Sequence, residues 1–261
     1  ARIGLAPHSL RAVSPEALGD VLAGLEAIDA TAPIHIHIAE QTAEVEGCVA
    51  WSGQRPVAWL LDHVAVDARW CLVHATHIDA DECTRAAASG AVAGLCPSTE
   101  ANLGDGLFDW RGWRRADGRW GIGSDSQVCV NAAEELMLLE YGQRLASQQR
   151  NIGAQAGQPS VATALTLMAV DGGARAAGRA VAGLQPGQRA DFVVLDAAHL
   201  ALSGLAPEAM LAAHVFASQR TNAIDSVWVA GSPCVTLGRH ALHAEAAAAF
   251  VLARKQLLES S

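Results

Sequence analysis

Short apolar runs alternate with amphipathic stretches through the first half of the chain. The runs lie at residues 3–6, 34–39, 70–75, 91–96 and 120–123. Near-continuous apolar strands fit a sheet buried on both faces, the habit of parallel sheets. Between the runs, Ser14-Pro15-Glu16 opens a helix with an N-cap and a first-turn proline. Residues 57–63 and 80–89 predict two more helices, the second stopped by Gly90. Strands alternating with helices predict βα units around a parallel sheet.

Past Asn131 the pattern changes. Residues 132–147 and 160–172 predict helices, with Gly172-Gly173 as a stop. Leu184-Gln185-Pro186-Gly187-Gln188 is a turn before a strand at 190–195, and a second strand at 226–230 precedes Gly231-Ser232-Pro233. Together they predict a small β appendage. Residues 242–258 predict an alanine-rich terminal helix.

Each apolar run of the first half ends in polar residues: Pro7-His8-Ser9, His37 to Gln41, His74-Ala75-Thr76-His77, Pro97-Ser98-Thr99-Glu100 and Ser124-Asp125-Ser126. In parallel α/β folds the loops after the strands' C-terminal ends build the active site. A strand puts His35 and His37 on one face, and such a pair suits a metal ion. On its own, the pair leaves open which strand this is. Spacing decides it. The intervals His8–His37, His37–His74, His74–Cys96 and Cys96–Asp125 are 29, 37, 22 and 29 residues, each close to one βα unit of ~30 residues. The 88 residues from His37 to Asp125 are too few for a barrel of about 250. Five consecutive strands, most simply the fourth to the eighth, place His37 on the fifth. The predicted fold is thus α/β, the C-terminal half of a (β/α)8 barrel over residues 1–180. Part of a small β-sandwich follows over 181–240, and a C-terminal helix over 241–261.

Composition narrows the partners. The chain is 51% hydrophobic and 17% charged, which rules out wholesale disorder. Its net charge is -9 and Lys255 is its sole lysine, so no basic face predicts a nucleic-acid partner. The six cysteines (48, 71, 83, 96, 129 and 234) show no CxxC pattern and read as buried reduced thiols of a cytoplasmic protein. No stretch reaches the ~18 apolar residues of a membrane span, and no signal peptide opens the chain. A half-barrel would leave two open sheet edges. The opening Ala1-Arg2-Ile3-Gly4 reads as the entry to a strand rather than a start. The expectation is a piece of a protein about 150–200 residues longer, with part of its site missing and unable alone to hold metal tightly or turn over.

His37-x-x-Glu40, His74 at the next strand end and Ser124-Asp125-Ser126 two strands on resemble signatures of the amidohydrolase superfamily, in its one-metal deaminase branch. The segment from Pro186 to Asp196 is similar to the strand closing that superfamily's composite β-sandwich. Ala6-Pro7-His8-Ser9-Leu10-Arg11-Ala12-Val13, His35 to Gln41 and Cys96 to Gly106 resemble, within the branch, the formimidoylglutamate deiminase family. That resemblance implies hydrolysis of N-formimino-L-glutamate to N-formyl-L-glutamate and ammonia, in histidine breakdown. It implies His37 and Asp125 as ligands of one divalent ion, zinc ahead of ferrous iron, with Glu40, His74 and Asp125 catalytic. It also implies that His8 and Arg11 grip a small acidic substrate; a homodimer is allowed. The alternatives are a relative acting on a purine, pyrimidine or triazine, which would not need Arg11, and a catalytically silent relative.

The remaining candidates read as structural. His63, His199, His214, His240 and His243 have no partner motif. His77, three residues past His74, is not assigned to the site, and His35 stands evenly between lining the pocket and packing. Trp51, Trp59, Trp110, Trp113 and Trp120 read as core and loop packing, and Glu134-Glu135 as a solvated helix start.

Overall fold

The computed structural model describes residues 2–126, 130–218 and 221–259. Ala1, at the expected strand entry, and Cys129, one of the expected buried thiols, lie outside the described residues. The chain divides into two compact units, Ala1–Gly183 and Leu184–Ser261.

The first unit begins with α1 (Pro15–Asp29), β1 (Ile34–Ile38), α2 (Thr42–Ser52), α3 (Pro56–His63) and β2 (Trp70–His74). Then come α4 (Ala80–Ala88), β3 (Val92–Leu95), α5 (Pro97–Leu103), α6 (Trp110–Arg115) and β4 (Arg119–Ile122), before α7 (Ala132–Ser147) and α8 (Val161–Ala176). The four strands form one parallel sheet in chain order, β1-β2-β3-β4. Parallel pairing makes all four C-terminal ends fall on one side, which is where the polar residues follow. Along β1, Ile34, Ile36 and Ile38 are buried while His35 and His37 are half-buried on the other face. Each such isoleucine contributes roughly 1.5–3 kcal/mol by leaving water.

The run at 3–6 is expected to be the first of the five strands, and the structure corrects this. Leu5 N–H donates to Pro33 O (2.9 Å) and His35 N–H to Leu5 O (2.9 Å), after which His37 N–H donates to His8 O (3.0 Å). Pro7 lies between and has no N–H to give the ladder. What remains are two isolated parallel bridges, Leu5–Ile34 and Ser9–His37.

The expected stop at Gly172-Gly173 is also corrected, since α8 continues to Ala176. A side chain on Gly172 would stand 1.9 Å from Trp120 O. Glycine here lets α8 lie directly on β4, and the packing outweighs the usual helix penalty. Trp59, Trp110, Trp113 and Trp120 are core, whereas Trp51 is exposed.

The second unit contains β5 (Phe192–Leu195), α9 (Pro207–Ala217), β6 (Ile224–Val229), β7 (Ser232–Thr236), β8 (Arg239–His240) and α10 (His243–Glu259). Its strands pair antiparallel in chain order. The sequence predicts only two of these four strands and not α9. The turn at Ala230-Gly231, with both residues at positive φ (52° and 76°), starts β7 where the sequence suggested a loop. No helix among the described residues is long and apolar enough to cross a membrane.

Candidate active site

Four neighbouring strand ends supply the site. Ala39 and Glu40 follow β1, His74 ends β2, Cys96 caps α5 after β3, and Asp125 follows β4. Four residues here take positive φ although none is glycine: Ala39 (50°), His74 (68°), Ala75 (48°) and Asp125 (52°). Such conformations cost on the order of 1–3 kcal/mol each and persist only where surroundings impose them. Glu44, buried in the first turn of α2, imposes one. Its carboxylate accepts from Ala39 N (3.0 Å) and Glu40 N (2.9 Å). Ala75 N–H donates to Ile38 O (3.0 Å) and His77 N–H to Ala39 O (2.9 Å), which tie the two loops together.

His74 is at the centre and fully buried. Its Nδ1 lies 3.3 Å from Glu100 Oε1. Its Nε2 lies 3.6 Å from both Glu40 Oε1 and Asp125 Oδ2, and has no hydrogen-bond partner. Burial pulls the His74 pKa down, but the Glu100 hydrogen bond and the charges of Glu40, Glu100 and Asp125 outweigh it, and the net direction is up.

The structure therefore brings Glu40, His74 and Asp125 together as the sequence suggested. Arg11 joins them through Glu40, with Nη2 3.2 Å from Glu40 Oε2. His37 stacks on the His74 ring (centroids 5.6 Å apart), and His8 lies against His37 at 5.0 Å. The His37 Nδ1 donates to His8 O at 2.8 Å, which leaves the Nε2 lone pair for a ligand. The His8 ring is exposed, and its Nδ1 is 3.0 Å from Ser9 Oγ.

Donor atoms of His74, Cys96 and Asp125 lie within 4.8 Å of one another. His37 is not in that group. An orphaned, buried imidazole nitrogen beside a carboxylate fits a divalent ion of zinc or ferrous type. Burial first, then Glu100, Asp125 and Glu135, push the Cys96 thiol up.

Three residues near the site are not among the sequence's site candidates, and Cys96 is read there only as a buried thiol. Glu100 holds His74 and the Cys96 amide, Cys96 joins the donor group, and Glu44 shapes the Glu40 turn. The segment from Cys96 to Gly106 contains two of them, but a carboxylate's burial has no local sequence signal. Glu135 is a correction. It is only 2% exposed and accepts from Ser98 N (2.9 Å) and Ser98 Oγ (2.5 Å), binding α7 to α5. His35 holds Ala176 O at 2.8 Å and so caps α8. His77 holds Asp105 O at 2.8 Å, next to the Gln41–Asp105 hydrogen bond (3.1 Å).

Residues 1–234 match the Amidohydrolase family. The chain is 49% identical to formimidoylglutamate deiminase of Pseudomonas aeruginosa over 257 residues, 98% of this chain and 56% of that protein. It is 31% identical to 8-oxoguanine deaminase of the same species, over 78% of this chain and 44% of that protein. Among solved structures, an amidohydrolase from Brucella melitensis superposes with a TM-score of 0.90 at 49% identity, covering 98% of this chain and 55% of that one. A zinc-bound adenosine deaminase from Xanthomonas campestris shares the fold (TM-score 0.85, 24% identity, 99% and 57% covered). The chain spans about half the length of the curated relatives it matches. With the family matched over nearly the whole sequence and four parallel strand ends converging on His74, the chain belongs to the amidohydrolase family.

Proposed function

We propose that this chain carries part of the active site of a metal-dependent deiminase that hydrolyses N-formimino-L-glutamate to N-formyl-L-glutamate and ammonia. The observation that carries the reading is the unpaired, buried His74 Nε2 set 3.6 Å from Glu40 and from Asp125. Identity of 49% to a formimidoylglutamate deiminase over nearly the full chain favours that substrate over a purine. The fold reading that goes with it is the C-terminal half of a (β/α)8 barrel, supported by the parallel sheet and by the Brucella melitensis superposition.

In this reading His37 and Asp125 would hold one divalent ion, zinc or ferrous iron, with His74 beside them. Such an ion would lower the pKa of the attacking water to roughly 7 and so supply hydroxide at neutral pH. Asp125 takes a proton from the attacking water through a carboxylate oxygen. Glu40 carries that proton to the nitrogen that leaves as ammonia, a role supported by its 3.6 Å distance from His74 Nε2. Arg11 binds a substrate carboxylate through its planar fork, competing with its present contact to Glu40, and His8 assists from the same loop. The substrate is a small dicarboxylate. Buried free thiols at Cys48, Cys71, Cys83 and Cys96 suit a reducing compartment such as the cytoplasm.

The test is ammonia release by the full natural protein, loaded with zinc, from N-formimino-L-glutamate and from 8-oxoguanine. Release from the first alone supports the reading; release from the second alone replaces it with a purine deaminase.

A further inference from the structure

Glu100 is a buried carboxylate that the scheme above leaves without a task. It is 6% exposed in α5. Its Oε1 accepts from Cys96 N–H at 2.8 Å and stands 3.3 Å from His74 Nδ1. A buried carboxylate is costly unless hydrogen bonds hold it. The Cys96 amide supplies one and so fixes Oε1 beside the imidazole. An ionised carboxylate only accepts, which puts the His74 hydrogen on Nδ1.

We propose that Glu100 is the positioning residue of His74: by accepting Nδ1–H it fixes the tautomer whose Nε2 lone pair points between Glu40 and Asp125. This rests on the deiminase reading for its catalytic meaning, although the tautomer itself does not. In that tautomer a neutral Nε2 accepts a hydrogen bond and cannot donate one. His74 then orients the attacking water through one of the water's own protons. The ring is also held against rotation, since His74 is fully buried and its Nδ1 is anchored to the buried Glu100. The pattern is the one by which a carboxylate sets a catalytic imidazole in a serine protease, here provided by a residue one strand further on.

The test uses the zinc-loaded full natural protein labelled with 15N-histidine. Its Glu100→Gln variant keeps an oxygen at Oε1, and its Glu100→Met variant removes the acceptor at similar size. His74 is expected to be protonated at Nδ1 in the wild type and in Glu100→Gln, and to lose that preference in Glu100→Met. For hydrolysis of N-formimino-L-glutamate, kcat is expected to fall about 100-fold in Glu100→Met with KM within about threefold, and to stay within about tenfold in Glu100→Gln. A side chain that only supports the fold would leave the tautomer unmoved. An Nε2-protonated His74 in the wild type overturns the proposal, and so does an Nδ1-protonated ring with unchanged kcat in Glu100→Met. Should Glu100→Met not fold, the wild-type spectrum alone decides. Absence of any turnover by the wild type would overturn the deiminase reading, while the spectra still decide for or against Glu100.

Discussion

His74 Nε2 stands 3.6 Å from Asp125 Oδ2, beyond hydrogen-bond length, and that nitrogen has no partner. A buried polar atom left unpaired costs roughly 1–3 kcal/mol, so the gap is a place prepared for another group. Asp125→Asn keeps the shape and removes the charge. In the full natural protein it is expected to lose most bound zinc and to lower kcat by at least about 100-fold. Metal analysis and ammonia release check both.

Arg11 meets Glu40 at 3.2 Å with its side chain 40% exposed, well placed to receive an anion from solvent. Arg11→Met is expected to raise KM for N-formimino-L-glutamate by about 10- to 100-fold, with a smaller change in kcat. Arg11→Lys should recover part of that loss, because it restores the charge but not the fork. Steady-state kinetics separate the two; an unchanged KM in Arg11→Met would remove Arg11 from the substrate site.

The glycine pair in α8 gives a test of packing. A Cβ on Gly172 would meet Trp120 O at 1.9 Å, while one on Gly173 meets nothing within 4 Å. Gly172→Ala must push α8 off β4 and is expected to destabilise by about 1–3 kcal/mol or more. Gly173→Ala is expected to stabilise by about 0.5–1 kcal/mol through helix propensity. Denaturant unfolding of both variants measures the difference.

Much of this was legible beforehand. The strands at Ile34–Ile38, Trp70–His74 and Val92–Leu95 announce themselves as apolar runs, and the polar residues behind them locate the site. The intervals of 37, 22 and 29 residues between His37, His74, Cys96 and Asp125 put them on successive strands because each holds about one βα unit. Other features depend on tertiary neighbours that no local pattern records. Pro7 breaks a ladder only because β1 lies beside it. Gly172 ends a helix by propensity and extends one by contact with Trp120. Glu135 looks like a charged helix start until Ser98 is brought against it, and Glu100 looks like a helix-face residue until His74 is. The short β7 and β8 strands carry too few apolar residues for their periodicity to show.

Glu135 also gives the fold a pH dependence. Burial raises its pKa above 4.5, more than the two Ser98 hydrogen bonds lower it, with Glu100 and Glu134 adding to the rise. A folded-state pKa above the unfolded value means that the folded protein binds the proton more tightly. The associated stability is fully present below pH 4.5 and is lost as pH rises through the higher folded value. Glu135→Gln is expected to flatten this part of the stability profile above pH 4.5, leaving the variant at least as stable as wild type at neutral pH. Urea unfolding across that range checks it; a variant less stable by the same amount at every pH would contradict it.

The most direct test is substrate turnover by the zinc-loaded full natural protein. One ammonia released per N-formimino-L-glutamate consumed, abolished by His74→Gln and by Asp125→Asn, is the expected result. No ammonia from that substrate, with a stoichiometric metal ion bound, would contradict the assignment.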